Sequence, residues 1–216
     1  MPLPLPCLAL VTDRRLYTTE EALVEAVGKA VEGGVDMVQV REKDMPGGPL
    51  LALARRLREV TRGHALLFVN ERVDVALLCE AEGVHLPEAG LPPSAVRHLA
   101  GPRLLIGVSV HSVETAQRAQ QEGADLLVAG TIFPSRSHPG QKAAGVGLLT
   151  AIRRVITLPV LAIGGVTPEN AEACIGAGAD GVAVITSILG QPDPRGAALR
   201  LKEALRRGWE GRGAPC

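Results

Sequence analysis

Aromatic side chains are nearly missing from this 216-residue sequence: two Phe, one Tyr and one Trp, 2% of the chain. That scarcity argues against stacking platforms for nucleic-acid bases and requires an aliphatic core. No charge excess exists either, since 23 basic residues face 23 acidic ones. Nothing therefore marks a face for nucleic acid or for a membrane surface. The four cysteines, Cys7, Cys79, Cys174 and Cys216, stand far apart, with no CxxC or Cys/His cluster. A zinc site is not expected, and the pattern suits a reduced, cytoplasmic chain. No apolar run reaches the roughly 18 residues of a membrane helix. Met1–Val11 is apolar, but prolines interrupt it and no basic segment precedes it, so it does not read as a signal peptide.

What is present is aliphatic and periodic. Hydrophobic residues make up 46% of the chain, enough for one large core. Short apolar runs alternate with amphipathic stretches along the whole length. Strands are expected at Cys7–Thr12, Val35–Arg41, Ala65–Asn70, Gly83–Leu86, Leu104–Ser109, Asp125–Thr131, Val160–Ile163 and Gly181–Ile185. Between them, the helical pattern covers Thr19–Gly33, Pro49–Thr61, Val73–Glu80, Pro93–Ala100, Val113–Glu122 and Leu148–Val155, with a last helix at Pro194–Arg206. Strand–helix repetition of this kind implies a parallel sheet buried on both faces. Eight units imply a single (β/α)8 barrel over residues 1–216, with an open doubly wound sheet as the alternative. A weak echo supports repetition: Glu32-Gly33-Gly34-Val35-Asp36, Glu122-Gly123-Ala124-Asp125 and Ala177-Gly178-Ala179-Asp180 each join a helix end to a strand start.

In such a barrel the chemistry lies at the carboxyl ends of the strands. The seventh strand ends in Gly164-Gly165, followed by Thr167 as a helix N-cap, Pro168 at the first helical position and Glu169. Strand, glycine turn and helix start form a phosphate-binding arrangement, and Thr186-Ser187 after the eighth strand offers a second capped start. Gly164, Gly165, Thr186 and Ser187 are therefore the phosphate-binding candidates. After the second strand, alternation sends Gln39, Arg41 and Lys43 to one side, a clamp for phosphate or carboxylate. Asn70 ends the third strand, as a turn residue or a ligand contact. His111 ends the fifth, placed for acid–base work or as a polar helix start. The segment Phe133–Val146 is long for a compact barrel and rich in Pro, Gly, Ser and basic residues, and it could close as a lid.

Together these strand ends resemble the thiamin phosphate synthase/TenI superfamily. The resemblance runs from about Leu8 to Leu205, carried by Gln39-Val40-Arg41-Glu42-Lys43, Asn70-Glu71-Arg72-Val73-Asp74, Gly83-Val84-His85-Leu86, Gly107-Val108-Ser109-Val110-His111-Ser112 and Ala162-Ile163-Gly164-Gly165-Val166. It implies a phosphorylated thiazole as ligand, a homodimer, and substrate contacts from Gln39, Arg41, Lys43, Asn70, Ser135 and Ser137. Two activities occur in the superfamily. The synthase joins a pyrimidine pyrophosphate to thiazole phosphate with Mg2+. The TenI-type tautomerase aromatises a carboxylated thiazole phosphate by a metal-free proton shift. The synthase pattern has an Asp after the third-strand Asn and another after the fourth strand. This chain has Glu71 and Gly90 there. Its lid has Ser135-Arg136-Ser137-His138 in place of Thr-x-Thr-Lys. His85-Leu86-Pro87 and Ser109-Val110-His111-Ser112 look like the tautomerase branch. The reading is thus a thiazole tautomerase with no cofactor and His111 as proton carrier. The alternatives are a synthase using Mg2+, a non-catalytic regulator that binds thiazole phosphate, and, by fold analogy alone, a phosphate-binding isomerase of another kind.

Overall fold

A computed structural model describes residues 3–135 and 143–212. Eight parallel strands close into a barrel in chain order, β1 to β8. They are β1 Cys7–Val11, β2 Met37–Val40, β3 Leu66–Asn70, β4 Gly83–Leu86, β5 Leu105–Val110, β6 Leu126–Ala129, β7 Val160–Ile163 and β8 Gly181–Val184. β8 pairs with β1 from Cys7↔Gly181 to Leu10↔Val184. The helices are α1 Glu20–Glu32, α2 Gly47–Thr61, α3 Val73–Leu78, α4 Pro93–Ala100, α5 Val113–Gln121, α6 Gly147–Arg153, α7 Ala171–Gly176, α8 Thr186–Leu189 and α9 Pro194–Glu210. The (β/α)8 expectation holds, and the open sheet is excluded by the β1–β8 pairing.

Alternation explains why the strands read as unbroken apolar runs. Cys7, Ala9 and Val11 fill the barrel interior with Met37, Leu66, Phe68, Leu126, Val128 and Leu161. Leu8 and Leu10 face outward into the layer under the helices. The inward-facing apolar side chains fill the lower interior, which leaves the carboxyl end of the barrel for a ligand. Phe68 is accommodated by its register partner Gly83, where a Cβ would lie 2.4 Å from the ring.

The opposite face carries a four-fold device. Asp36, Glu82, Asp125 and Asp180 each stand just before an even-numbered strand. Each accepts a backbone N–H from the preceding odd-numbered strand: Leu8, Leu67, Ile106 and Val160. Each is also paired with a cation from an even-numbered helix or the last one: Lys202, Arg58, Arg97 and Arg153. Lys202 on α9 reaches Asp36 before β2 and so closes the ring across the whole chain. Three of these acids belong to the sequence echo. Glu82 follows Ala81 without the preceding glycine and breaks the local pattern while keeping the contact.

Two local expectations are corrected. No helix starts at Thr167. Asn170 turns its side chain back, accepting from Thr167 N at 2.8 Å and donating to Gly165 O at 3.0 Å. That makes a turn of residues 167–170, and α7 begins only at Ala171. Nor do Thr186 and Ser187 cap a helix. The N-cap position is Ile185, Thr186 opens the four-residue α8, and Ser187 Oγ donates to Val166 O, tying the β7 and β8 turns together.

Candidate active site

The carboxyl ends of the strands enclose a cavity of about 370 Å³, within the usual size range for small-molecule sites. Gln39, Arg41 and Lys43 line it in phase, as alternation requires. The residue between the last two, Glu42, turns the other way and is buried. It accepts from Thr12 Oγ1 at 2.6 Å and from Arg14 N at 3.1 Å, while Thr12 Oγ1 accepts from Arg41 N at 3.0 Å. Burial pushes the Glu42 carboxyl above its usual range, against these hydrogen bonds. Glu42 therefore fixes the β2 end from behind and aims Arg41. Sequence reasoning passed over it. The signal was a charged residue in phase with the outward-facing, buried Val38 and Val40.

Arg41 and Lys43 form no ion pair among the described residues. Their charge is directed at the cavity. Beside them Gln39 Nε2 donates to Asn70 Oδ1 at 3.1 Å, and Asn70 Nδ2 donates to Glu71 Oε2 at 2.8 Å. This chain orients the Asn70 amide at the cavity floor. Glu71 has φ of 60°, which turns the chain away after β3. It is exposed, and the cavity lining does not include it.

His85 lies inside the barrel with Nε2 2.8 Å from Ser109 Oγ. Burial, with Arg41's charge adding to it, lowers its pKa to about 4. It stays neutral at pH 7 and braces Ser109. The linkage is testable. Between pH 6.5 and 4 the unfolded chain takes up a proton that the folded one refuses, so stability falls as pH falls. The integrated loss is about 3 kcal/mol. His85→Gln should remove most of that slope in urea titrations at pH 7 and pH 4.5. An unchanged slope would show that His85 is not its source.

His111 follows β5 at the rim, with its side chain 54% exposed. Its Nδ1 lies 2.8 Å from Glu88 Oε2, and its backbone N donates to the same oxygen at 2.9 Å. Burial alone would raise the Glu88 carboxyl, but the hydrogen bonds from His111 and Thr115 outweigh it and hold the group below its usual range. Two strands further on, after β7, Gly164 and Gly165 have φ of 100° and 61°. A Cβ on Gly165 would meet Pro134 O at 2.4 Å. These glycines let the segment after β6 lie against the β7 turn, a packing reason additional to any phosphate. Thr186, Ser187 and Ser135 also line the cavity. Ser137, with Arg136 and His138, falls outside the described residues. The structure thus gathers the other candidates around one cavity, with the cations after β2, the imidazole after β5 and the glycine turn after β7. An anion could be held by the cations or at the glycine turn.

A model of the thiamine monophosphate synthase family matches residues 8–188. A thiamine-phosphate synthase of Roseiflexus castenholzii is 41% identical over 206 residues, spanning 93% of this chain and 90% of its own. Another, of Pyrococcus furiosus, is 39% identical over 199 residues, with 92% and 94% covered. Among solved structures, thiamine phosphate pyrophosphorylase from Pyrococcus furiosus matches with a TM-score of 0.85 at 37% identity, covering 94% of this chain and 96% of that one. A 3-hexulose-6-phosphate synthase at 22% identity, TM-score 0.72, shares the fold alone. The names of the relatives overturn the tautomerase expectation and its isomerase class. The features behind that expectation do not discriminate chemically. His85 is a buried brace, His111 is clamped by Glu88, and Gly90 does not line the cavity.

Proposed function

Because the chain belongs to the thiamine monophosphate synthase family, we propose that it is a thiamine-phosphate synthase, a transferase of thiamine biosynthesis. It would join a hydroxymethylpyrimidine pyrophosphate to a thiazole phosphate. The bond between the pyrimidine methylene carbon and the pyrophosphate oxygen breaks, and pyrophosphate leaves with the electron pair. The thiazole nitrogen supplies the pair for the new C–N bond. No proton has to be abstracted, so the protein's work is to hold two anionic substrates and stabilise the departing charge.

The observation that supports this reading is one cavity lined by Arg41 and Lys43 after β2 and by the turns after β7 and β8. Arg41 and Lys43 suit the pyrophosphate, with Gln39 and Asn70 ordering the floor between the substrates. The backbone at Gly164, Gly165, Thr186 and Ser187 suits the thiazole phosphate. Ser135 and Ser137 would approach from the segment after β6. A homodimer and a cytoplasmic location belong to the same proposal and rest on the resemblance. Among the described residues no helix is long and apolar enough to cross a membrane.

The resemblance also implies Mg2+, and the donor set does not fit a built magnesium site. Glu88 is the one carboxylate lining the cavity among the described residues, and it is engaged by His111. Glu71 is taken by Asn70. Gly90 has no side-chain oxygen, and residues 136–142 contain no acid. No group of three His, Cys, Asp or Glu able to hold a metal occurs among the described residues. The residues that face the leaving group are cationic instead.

The test is an assay with both phosphorylated precursors, with and without Mg2+. The expected result is thiamine phosphate and pyrophosphate in equal amounts. Absence of product under both conditions would refute the reading.

A further inference from the structure

Glu88 makes an unusual investment for a rim residue. One of its oxygens, Oε2, receives both the backbone N–H and the Nδ1 side of His111, at 2.9 and 2.8 Å. Thr115 supports the same corner. It lies 3.3 Å from His111 N and forms a capping box with Ser112 at the start of α5. Both side chains are partly exposed, 54% for His111 and 31% for Glu88, and a pair so exposed adds little to stability. The arrangement instead fixes orientation. A carboxylate only accepts, so Nδ1 must carry the proton in this contact. The backbone hydrogen bond to the same oxygen holds the carboxylate where it can meet Nδ1. Nε2 is the ring nitrogen left over, and His111 lines the cavity.

We propose that Glu88 is a positioning residue. It holds the His111 ring with Nδ1–H on Glu88 and Nε2 as the nitrogen left for the cavity, where Nε2 donates to an anionic oxygen of the substrate once it too carries a proton. The inference rests on the transferase reading, in which an imidazolium donates one N–H to Glu88 and the other to pyrophosphate. It gives His111 the role of a fixed hydrogen-bond donor and agrees with a reaction that abstracts no proton. It also explains why an acid at the mouth of an anion site does not repel the ligand. Its Oε2 is occupied by the backbone N–H and Nδ1 of His111, which lines the same cavity as Arg41 and Lys43.

The tautomer can be read directly by ¹⁵N NMR of labelled imidazole in the substrate-free protein, on the alkaline side where histidine is neutral. The parent should show His111 protonated at Nδ1. Glu88→Ala should shift it to the Nε2-protonated form common in free histidine. Glu88→Gln keeps an acceptor oxygen and should retain the parent tautomer, and it serves if the alanine variant does not fold. Inorganic pyrophosphate should bind about 10–100-fold more weakly to Glu88→Ala. In turnover the loss should fall on KM for the pyrophosphorylated substrate more than on kcat. An Nε2-protonated parent, or pyrophosphate binding unchanged in Glu88→Ala, would overturn the proposal. The tautomer is measured without substrate, so it stands or falls apart from the transfer activity.

Discussion

Arg41→Ala should lower kcat/KM for thiamine phosphate formation by about 10²–10³-fold, the usual cost of losing one preorganised donor to a developing anion. The reason lies in how Arg41 is supported. Its backbone N–H donates to Thr12 Oγ1, which is held by the buried Glu42. Its side chain forms no ion pair among the described residues and lines the cavity, with Asp13 as a carboxylate it acts on through space only. Arg41→Lys should restore only part of the activity, because an ammonium cannot bridge two oxygens in one plane. Thermal unfolding should move little, since no carboxylate is left unpaired. Steady-state kinetics in both substrates decide the matter. A loss below about fivefold would move the pyrophosphate to Lys43 or to the segment after β6.

Asp180→Ala should cost about 3–5 kcal/mol of stability, the range for breaking a buried ion pair. Asp180 is 7% exposed and serves three partners: Val160 N at 2.9 Å, Arg153 Nη2 at 2.8 Å and Arg212 Nη1 at 3.3 Å. Removing it leaves a strand N–H without its acceptor and two guanidinium groups without their carboxylate, with only backbone carbonyls such as Leu158 O and Ala179 O to accept from them. Asp125→Ala at the equivalent point of the ring should cost less, because that pair is 34% exposed on both sides. Both sites lie on the face away from the cavity, so turnover by the folded fraction should be unchanged. Urea titrations of the two variants give the comparison. Equal losses would mean that solvent exposure does not grade the ring.

Much of the architecture was legible in order and type. Gly83–Leu86, Pro93–Ala100 and Val160–Ile163 have the expected limits, and Thr19 caps α1 by accepting from Ala22 N. These features depend on period, capping and glycine or proline placement, which act over a few residues. The errors came where two local rules competed. Thr167-Pro168-Glu169 has the composition of a helix start, but Asn170 bonds back to Thr167 and Gly165 and makes a turn instead. Gln39, Arg41 and Lys43 line the cavity together because strand alternation carries a side-chain direction past the last paired residue.

What local pattern could not supply is which polar groups answer one another across the barrel. Glu42 meets Thr12 at a separation of 30 residues, Glu88 meets His111 at 23, and Lys202 meets Asp36 at 166. Hydrophobic periodicity fixes which face a side chain takes and is indifferent to its partner. Barrel closure brings those residues within hydrogen-bond reach. The same closure makes His85 a neutral brace, because a charged imidazole cannot be hydrated inside the ring. Strand order, the apolar interior and the gathering of the polar strand ends at one mouth thus follow from the sequence pattern. The roles of Glu42, Glu88 and His85 follow from folding alone, since each depends on a neighbour and a degree of burial that the linear chain does not contain.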